Sequence, residues 1–488
     1  MKGSARKILL PHFVVTEVTS ENDSDAMTVI IPESELTLGG TYHVRPKKIA
    51  GESKRRDGNP HWVEHRFNLF PVILDGMGIP WAEANVYLLS RLEGSVVPTM
   101  STYSSIGEDM AAYRRFLDET QLDWMHFPSQ KLSRPTYRYN GHLKLVVGAG
   151  EIAAATAKRR MGAVIGFYKW LKLENVLIPE NPPWKEADRY IDIKDRQGFK
   201  LLKKVVTTDV SIRIAKQLDP YDGTIQDDGK LRPLPQSEQE WLMDALISLH
   251  NTEMTLIHLM GLVTGARIQT ILTFRFRHVR LEIDRDQKNG ELRLPVGPGA
   301  GIDTKWDKQM ILHIPIWLYR MLRIYAHSDR ARKRRERAVG GDHENQYLFL
   351  SVRGAPLYRS KEESGSFDVT NELRHAKAGQ GVRQFITDYV IPYVHKKYNA
   401  KYFHYQFHDT RATFGMNLTD HQFKLIEQGK TTLKEVREFV KTRMGHASSA
   451  TTDLYLQYRQ NLKLVRWVGE EYESHLQRLS ERAMEALL

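Results

Sequence analysis

The chain has 488 residues, no cysteine and a formal net charge of +12, from 71 Lys and Arg against 59 Asp and Glu. Without cysteine it can form no disulfide, no thiolate metal site and no cysteine nucleophile. The excess positive charge favours a polyanionic partner such as nucleic acid, because it concentrates polyanions near the protein, but it says nothing about the fold.

The first 75 residues alternate short apolar runs with polar segments, which is typical of short strands and loops. We predict an N-terminal accessory region over 1–75. Basic residues precede a short apolar run at the N terminus, but Pro11 interrupts that run, so no signal peptide is predicted. No apolar run approaches the roughly 18 residues of a membrane span. We therefore expect a cytoplasmic protein that makes no membrane contact.

From about residue 80, apolar residues recur at three- and four-residue intervals, as in amphipathic helices. This predicts a helical domain over 80–184, which ends where three prolines fall within 179–184. The polar stretch 185–235 has too few apolar clusters for a core of its own. It is predicted to be a linker with peripheral elements.

Helical periodicity resumes at residue 236 and opens a third, larger domain over 236–460. Within it, 279–296 and 303–316 alternate apolar and polar residues, which predicts a small antiparallel sheet among the helices. The segment 461–488 again has helical spacing. The expected fold is therefore mainly α with small β elements.

Three short patterns have plain structural explanations. GPGAG at 297–301 lacks the Lys-Ser/Thr of a phosphate-binding loop, so a loop between strands is favoured. Asp284 and Asp286 stand beside Lys-Asn-Gly, a combination typical of a solvated turn. The basic run 330–338 fits a solvated helix face and a contact with phosphates equally well.

Four motifs in the second half of the chain carry a chemical signal: TGARIQTIL at 264–272, DTKWDKQMILHIP at 303–315, FHDTRATFG at 407–415 and MGHASSATTDLYLQY at 444–458. Together they resemble the tyrosine recombinases, the phage integrase family that includes lambda integrase, Cre and the Xer recombinases. The resemblance assigns the catalytic roles, in chain order, to Arg267, Lys305, His408, Arg411, His446 and Tyr455.

These residue types suit phosphodiester chemistry, whose transition state spreads negative charge over the nonbridging oxygens. A guanidinium stays protonated and presents forked donors that match phosphate oxygens, so Arg267 and Arg411 are expected to clamp the phosphate. His408 lies three residues before Arg411 and shares its helix face. It could accept the tyrosine proton or donate a hydrogen bond to phosphate. The resemblance implies that His446 donates a hydrogen bond to phosphate and that Lys305 protonates the departing 5′ oxygen.

Tyr455 is the expected nucleophile, forming a covalent 3′-phosphotyrosine whose bond energy is retained for religation. Such a mechanism needs no ATP, metal or other cofactor. Tyr458 shares the helical face of Tyr455, and pattern alone does not choose between them. The nine-residue interval from His446 to Tyr455, which matches the family, favours Tyr455.

Two further positions qualify the match. Lys308 is a close rival of Lys305, which is preferred because its distance to the following apolar strand matches the hairpin lysine of the family. Thr270 stands where family members usually have an acidic residue that supports the active-site groups. This departure is expected to change rate or geometry without removing a reactive group.

The resemblance implies a helical core-binding domain over 80–184, a catalytic domain over 236–460, and a C-terminal segment 461–488 that docks on a neighbouring protomer or covers its own domain. The implied function is site-specific recombination of double-stranded DNA by a homo-tetramer through a Holliday junction, for integration or excision of a mobile element. Accessory DNA-bending or directionality proteins would be further partners, and the location would be the nucleoid. A type IB topoisomerase-like nicking and closing enzyme and a non-catalytic DNA-binding regulator remain alternatives.

Overall fold

The computed structural model describes residues 3–31, 39–54, 60–94, 99–194, 200–213, 223–282, 290–361 and 378–468, together with residues 363 and 477. The chain divides into two compact units, the first over Met1–Lys216 and the second built on Gln217–Lys361 and Lys377–Leu488. The prediction of a mainly α fold with small β elements is confirmed. Asp284 and Asp286 lie outside the described residues, as does most of the segment 461–488.

In its described residues, the first unit combines short antiparallel strands with four α-helices. The strands are β1 (Arg6–Val14), β2 (Thr16–Thr19), β3 (Met27–Ile31), β4 (Gly40–Pro46), β5 (Lys48–Lys54), β6 (Pro60–Glu64), β7 (Arg66–Leu74), β8 (Glu186–Lys194) and β9 (Lys200–Thr208). The helices are α1 (Ala82–Glu93), α2 (Met100–Thr120), α3 (Pro135–Gly148) and α4 (Ala154–Leu173).

One aromatic core joins the strands to the helices of this unit. Strand β1 pairs with β7, strands β2, β4 and β3 form a three-stranded sheet with β4 in the centre, and β8 pairs with β9. Buried residues of β7, among them Phe67 and Phe70, belong to the same cluster as the helical residues Tyr113 and Tyr168. The hydroxyls of these two tyrosines lie 2.7 Å apart, so each buried polar group has a partner.

The second unit is more strongly helical. Its helices are α5 (Gln236–Ser248), α6 (Thr252–Thr264), α7 (Ile268–Leu272), α8 (Ile316–His327), α9 (Asp329–Glu336), α10 (Gln380–Phe385), α11 (Ile391–Tyr398), α12 (Asp409–Glu427), α13 (Leu433–Met444) and α14 (Ser449–Val468). Its strands are β10 (Ile225–Gln226), β11 (Lys230–Leu231), β12 (Glu291–Val296) and β13 (Met310–Pro315). None of the described helices of either unit is long and apolar enough to cross a membrane.

The small antiparallel sheet expected from alternation is present as β12 and β13, paired from Glu291↔Pro315 to Val296↔Met310. GPGAG at 297–301 lies in the loop after β12, as predicted, and Gly297 bridges back to Ile302. Helix α6 carries almost no charge and runs through the core of the unit, where it packs with β13 and α8.

The basic run at 330–338 is exposed at Arg332, Lys333 and Arg337, as expected for a solvated helix face, but its other arginines form ion pairs within the unit. Arg330 forms two hydrogen bonds of 2.7 Å to the carboxylate of Glu253, which is 1% exposed. Arg334 lies 3.1 Å from the same carboxylate, and Arg335 pairs with Asp342. Arg334 and Arg335 are therefore buried in ion pairs, whereas the Arg330 side chain is 47% exposed and also faces solvent.

Removing the Glu253 carboxylate should destabilise the second unit, because it leaves two arginines without their shared anion. We expect Glu253→Ala to lower the free energy of unfolding by about 3–5 kcal/mol, the range for breaking a buried ion pair from one side. Urea denaturation measures this change. Glu240→Ala, which removes an exposed carboxylate from α5, is the control, and equal effects of the two substitutions would contradict the assignment.

Candidate active site

Two helix ends position the first arginine and the second histidine of the motif series. Helix α6 is followed by Gly265 at φ 65°, where an added Cβ would lie 2.5 Å from a ring carbon of Phe414. Helix α13 is followed by Gly445 at φ 63°. Left-handed backbone at a helix end favours glycine, and it turns the chain sharply toward the next residues. Arg267 and His446 follow directly after these turns.

Arg411 ties the two helix ends together. His408 caps α12 and Arg411 lies in the first turn, where its side chain is almost fully buried. Its Nη1 donates to the carbonyl of Gly265 and its Nη2 to the carbonyl of Met444, each at 2.8 Å. Carbonyls at helix C termini have no partner within their own helix. The guanidinium therefore satisfies α6 and α13 at once and keeps its Nε for a third partner.

The carboxylate of Asp227, in the turn between β10 and β11, is that third partner. Its Oδ2 accepts from Nε of Arg411 at 2.8 Å, from Nε2 of His446 at 3.3 Å and from the Tyr455 hydroxyl at 3.0 Å. Its Oδ1 lies 3.8 Å from Nη2 of Arg267. One buried carboxylate thus joins four of the six residues that the motifs predicted.

Asp228 joins the predicted lysine to the same cluster. Its carboxylate pairs with the Arg267 guanidinium and lies 3.1 Å from Nζ of Lys305. Lys305 stands in the loop before β13, in a turn whose next residue, Trp306, has φ 61°. The rival Lys308 lies at the same recess, where its Nζ donates to the carbonyl of Gly445.

His408 faces the cluster with an unused nitrogen. Among the described residues, Nε2 of His408 and Nε of Arg267 are buried without a hydrogen-bond partner. Burial, together with the positive charges of Arg267 and Arg411, lowers the pKa of His408 to about 4. Its imidazole is therefore neutral at physiological pH and has one nitrogen able to accept a proton.

The hydrogen bonds of His446 fix its tautomer. Nε2 faces the carboxylate of Asp227, which can only accept, so Nε2 carries the proton. Burial lowers the pKa of His446, so the ring is neutral and its Nδ1 accepts from the hydroxyl of Thr452 at 2.9 Å. Thr452 lies one turn before Tyr455 on α14. The helix that carries the tyrosine therefore also orients the histidine.

The protonation states of Asp227 and Tyr455 follow from their surroundings. Burial alone would raise the pKa of Asp227, but the hydrogen bond from His446 and the charges of Arg411 and Arg267 outweigh it and hold this pKa well below its usual range. Burial, with the neighbouring Asp227 charge, raises the pKa of Tyr455 well above its usual value. The pair therefore consists of an ionised carboxylate and a neutral phenol.

All six residues that the motifs predicted border this one cluster. The hydroxyl of the rival Tyr458 donates to the carbonyl of Gly223. Thr270 lines the recess beside Arg267 and Lys305, so no carboxylate occupies the position that is usually acidic.

Sequence reasoning missed Asp227 and Asp228 entirely. The available signal was Asp-Asp-Gly, a turn pattern within a stretch that was predicted to be a linker.

No protein-family model matches the chain, and no curated protein matches it. Two solved structures are similar to it. One is the XerH site-specific recombinase bound to its difH substrate in a pre-cleavage complex, with a TM-score of 0.42 and 12% identity, covering 80% of this chain and 88% of that one. The other is a lambda integrase dimer bound to a COC′ core site, with a TM-score of 0.41 and 14% identity, covering 77% of this chain and 94% of that one. Both are tyrosine recombinases, the family that the four motifs resemble.

The packing around Tyr455 leads to a prediction about Gly415 on α12. A Cβ at this glycine would lie 2.4 Å from Cε1 of Tyr455 and 3.0 Å from Cε of Met444. We expect Gly415→Ala to displace the tyrosine ring and to lower the free energy of unfolding by about 1–3 kcal/mol, as for other overpacked cores. Chemical denaturation measures the change.

Gly141→Ala on α3 is the matched control, because a Cβ there meets nothing within 4 Å. That substitution should stabilise the helix by about 0.5–1 kcal/mol, the difference in helix propensity. A stable Gly415→Ala protein would show that the tyrosine ring is not confined by α12.

The pKa of His408 leads to a prediction about pH dependence. Because the folded-state pKa of about 4 lies below the ordinary 6.5, protonation favours the unfolded state. The free energy of unfolding should therefore fall as pH drops from about 6.5 to about 4. We expect His408→Gln to reduce this slope by at most about 1.4 kcal/mol per pH unit, the value for one proton.

Urea denaturation at a series of pH values measures the slope in the wild type and the variant. His421→Gln, which removes an exposed imidazole from the same helix, is the control. Equal slopes in the wild type and in His408→Gln would contradict the assigned pKa.

Proposed function

We propose that the chain is a site-specific DNA recombinase that cuts and rejoins strands through a covalent 3′-phosphotyrosine. The observation that carries the proposal is the convergence of Arg411, His446 and Tyr455 on one oxygen of Asp227, with Arg267 beside it. A carboxylate oxygen has the charge and the acceptor geometry of a nonbridging phosphate oxygen. The cluster is therefore built to hold an oxyanion within reach of a phenol.

In the proposed reaction a phosphodiester takes the place of this carboxylate. Arg267 and Arg411 bind its nonbridging oxygens, and Nε2–H of His446 donates a further hydrogen bond. The Tyr455 oxygen attacks phosphorus while its proton passes to the neutral His408. The bond from phosphorus to the 5′ oxygen breaks, and that oxygen takes a proton from Nζ of Lys305.

The products are a 3′-phosphotyrosine and a free 5′ hydroxyl. A 5′ hydroxyl from a partner strand reverses these steps and releases the tyrosine, so the bond energy is conserved and no cofactor is consumed. We propose double-stranded DNA as the partner, which the net charge of +12 supports. By the resemblance of the motifs, the working form would be a homo-tetramer that acts through a Holliday junction in the cytoplasm, for a mobile element.

A nicking and closing enzyme would need the same groups as a recombinase. The two activities are therefore distinguished by the products that they form from DNA carrying two sites. A plasmid carrying two copies of the DNA site should be resolved into two circles by a recombinase. Relaxation of supercoils without exchange of partners would instead identify a topoisomerase. A non-catalytic regulator would bind the site and do neither.

The nucleophile is tested with nicked half-site DNA, which traps the covalent intermediate because the short 5′ product diffuses away. We expect the wild type to form an adduct that survives a denaturing gel, and Tyr455→Phe to form none, since it lacks the attacking oxygen.

Tyr458→Phe is the matched control, because it removes a phenol oxygen one turn further along α14 that donates to the carbonyl of Gly223. This variant should form the adduct within about twofold of the wild-type rate, because it leaves the transition-state contacts intact. An adduct from Tyr455→Phe would exclude Tyr455 as the nucleophile.

A further inference from the structure

A short hairpin carries the two carboxylates that fill the candidate active site. Strands β10 and β11 pair through Ile225↔Leu231 and Gln226↔Lys230, and residues 227–229 form the turn between them. Asp228 has φ 59° and Gly229 has φ 149°, a left-handed turn that Asp-Gly adopts easily. The amide of Asp227 donates to the carbonyl of Gly229 at 3.0 Å, which closes the turn. We call residues 225–231 the acidic hairpin.

We infer that the acidic hairpin is an internal competing ligand, whose Asp227 carboxylate occupies the position of the scissile phosphate and has to leave before DNA can be cleaved. The inference rests on the proposed function, because it identifies the oxyanion position of the cluster with a phosphate position.

The Asp227 carboxylate and a phosphate cannot bind here at the same time, because the donors of the site have too few hydrogens for both. Nε of Arg411, protonated Nε2 of His446 and the hydroxyl of Tyr455 each carry one hydrogen, and all three are directed at Oδ2 of Asp227. In the proposed reaction the phosphate needs the hydrogens of Arg411 and His446, and the oxygen of Tyr455 has to give up this hydrogen bond to attack phosphorus. Carboxylate and phosphate therefore cannot be bound there together.

Charge leads to the same conclusion. Asp227 and a phosphodiester each carry about one negative charge, and two like charges in one buried site repel each other strongly. Asp228 at the same time pairs with both Arg267 and Lys305. The hairpin thus satisfies both the cations proposed to clamp the phosphate and the lysine proposed to protonate the leaving group.

The hairpin is seated on the helix that carries the proposed nucleophile. Ile225 is 2% exposed and packs in a cluster with Tyr455 and Leu456 of α14 and Met444 of α13. After the hairpin, the amide of Arg232 donates to the Asp409 side chain at 2.9 Å, which fixes the chain to α12. Exchange of the carboxylate for phosphate therefore requires the movement of a short segment only.

A different role for Asp227 makes the opposite prediction. Thr270 has replaced the usual acidic residue, so Asp227 could be a permanent supporting group that orients Arg411 and His446 for catalysis. Removing a supporting group slows the reaction, whereas removing a competing ligand accelerates it. The sign of the effect therefore decides between the two roles.

The test compares full-length wild type and Asp227→Asn in the initial rate of adduct formation on nicked half-site DNA at subsaturating concentration. Asparagine keeps the shape of the side chain and removes its charge. If the open form is at most a tenth of the population, freeing it raises the rate about tenfold or more. An unchanged or lower rate would overturn the inference.

Two further variants keep the comparison interpretable. Ile225→Ala weakens the apolar seat of the hairpin without touching a polar group, and it should also raise the rate. Asp244→Asn is the matched control, since that carboxylate also accepts from a cation and from phenols, here Lys397, Tyr393 and Tyr398. Its rate should equal that of the wild type, and an equal acceleration there would overturn the inference.

A second measurement is independent of cleavage. Inorganic phosphate should raise the Tm of Asp227→Asn at concentrations about tenfold lower than those needed for the wild type, because the cations are no longer neutralised internally. Equal phosphate responses would overturn the inference even if DNA is cleaved. Enhanced phosphate binding by the variant, with no adduct from either protein, would support the internal ligand and refute the proposed recombinase.

Discussion

The rest of the candidate site depends on one constraint. The guanidinium groups of Arg267 and Arg411 are neighbours and need an anion between them. Burial and the charge of Arg411 both lower the pKa of Arg267, which is the mark of cations held close together away from water. Arg411 is fixed in this position because it satisfies the last carbonyls of α6 and α13. The anion is therefore required by the same contacts that hold the helix ends in place, and Asp227 supplies it.

Periodicity in the sequence predicted the helical segments and the β12–β13 sheet, and the resemblance of the four motifs to a known family supplied the six candidate residues of the site. His408 and Arg411 are three residues apart, so helix geometry alone places them together. Asp227 was beyond such reasoning, because it lies 184 residues from Arg411 and 228 from Tyr455. The polar stretch around Asp227 was predicted to be a linker with peripheral elements. Polarity alone does not show whether a charged side chain faces water or a buried partner. The same holds for Arg330, whose carboxylate partner is 77 residues away.

Whether Tyr455 can react depends on the identity of the anion beside it more than on the charge of that anion. A carboxylate and a phosphodiester both present an anionic oxygen to the donors of this site. Only the phosphodiester offers an electrophilic phosphorus next to the acceptor oxygen, with a leaving group that a lysine can protonate. With Asp227 bound, the donors of the site are therefore satisfied and no bond of this kind can form.

The acidic hairpin also changes how the net charge of +12 bears on DNA. Bulk charge draws a polyanion to the whole surface, but cleavage requires positive potential at one place. Arg267, Arg411 and Lys305 face Asp227 and Asp228 there, so two of these three positive charges are balanced while the hairpin is seated. When the hairpin leaves, three cations stay behind without a counterion. The electrostatic attraction for a phosphate is then strongest beside Tyr455. The movement that frees the hydrogen-bond donors therefore also produces the positive potential that binds the phosphate.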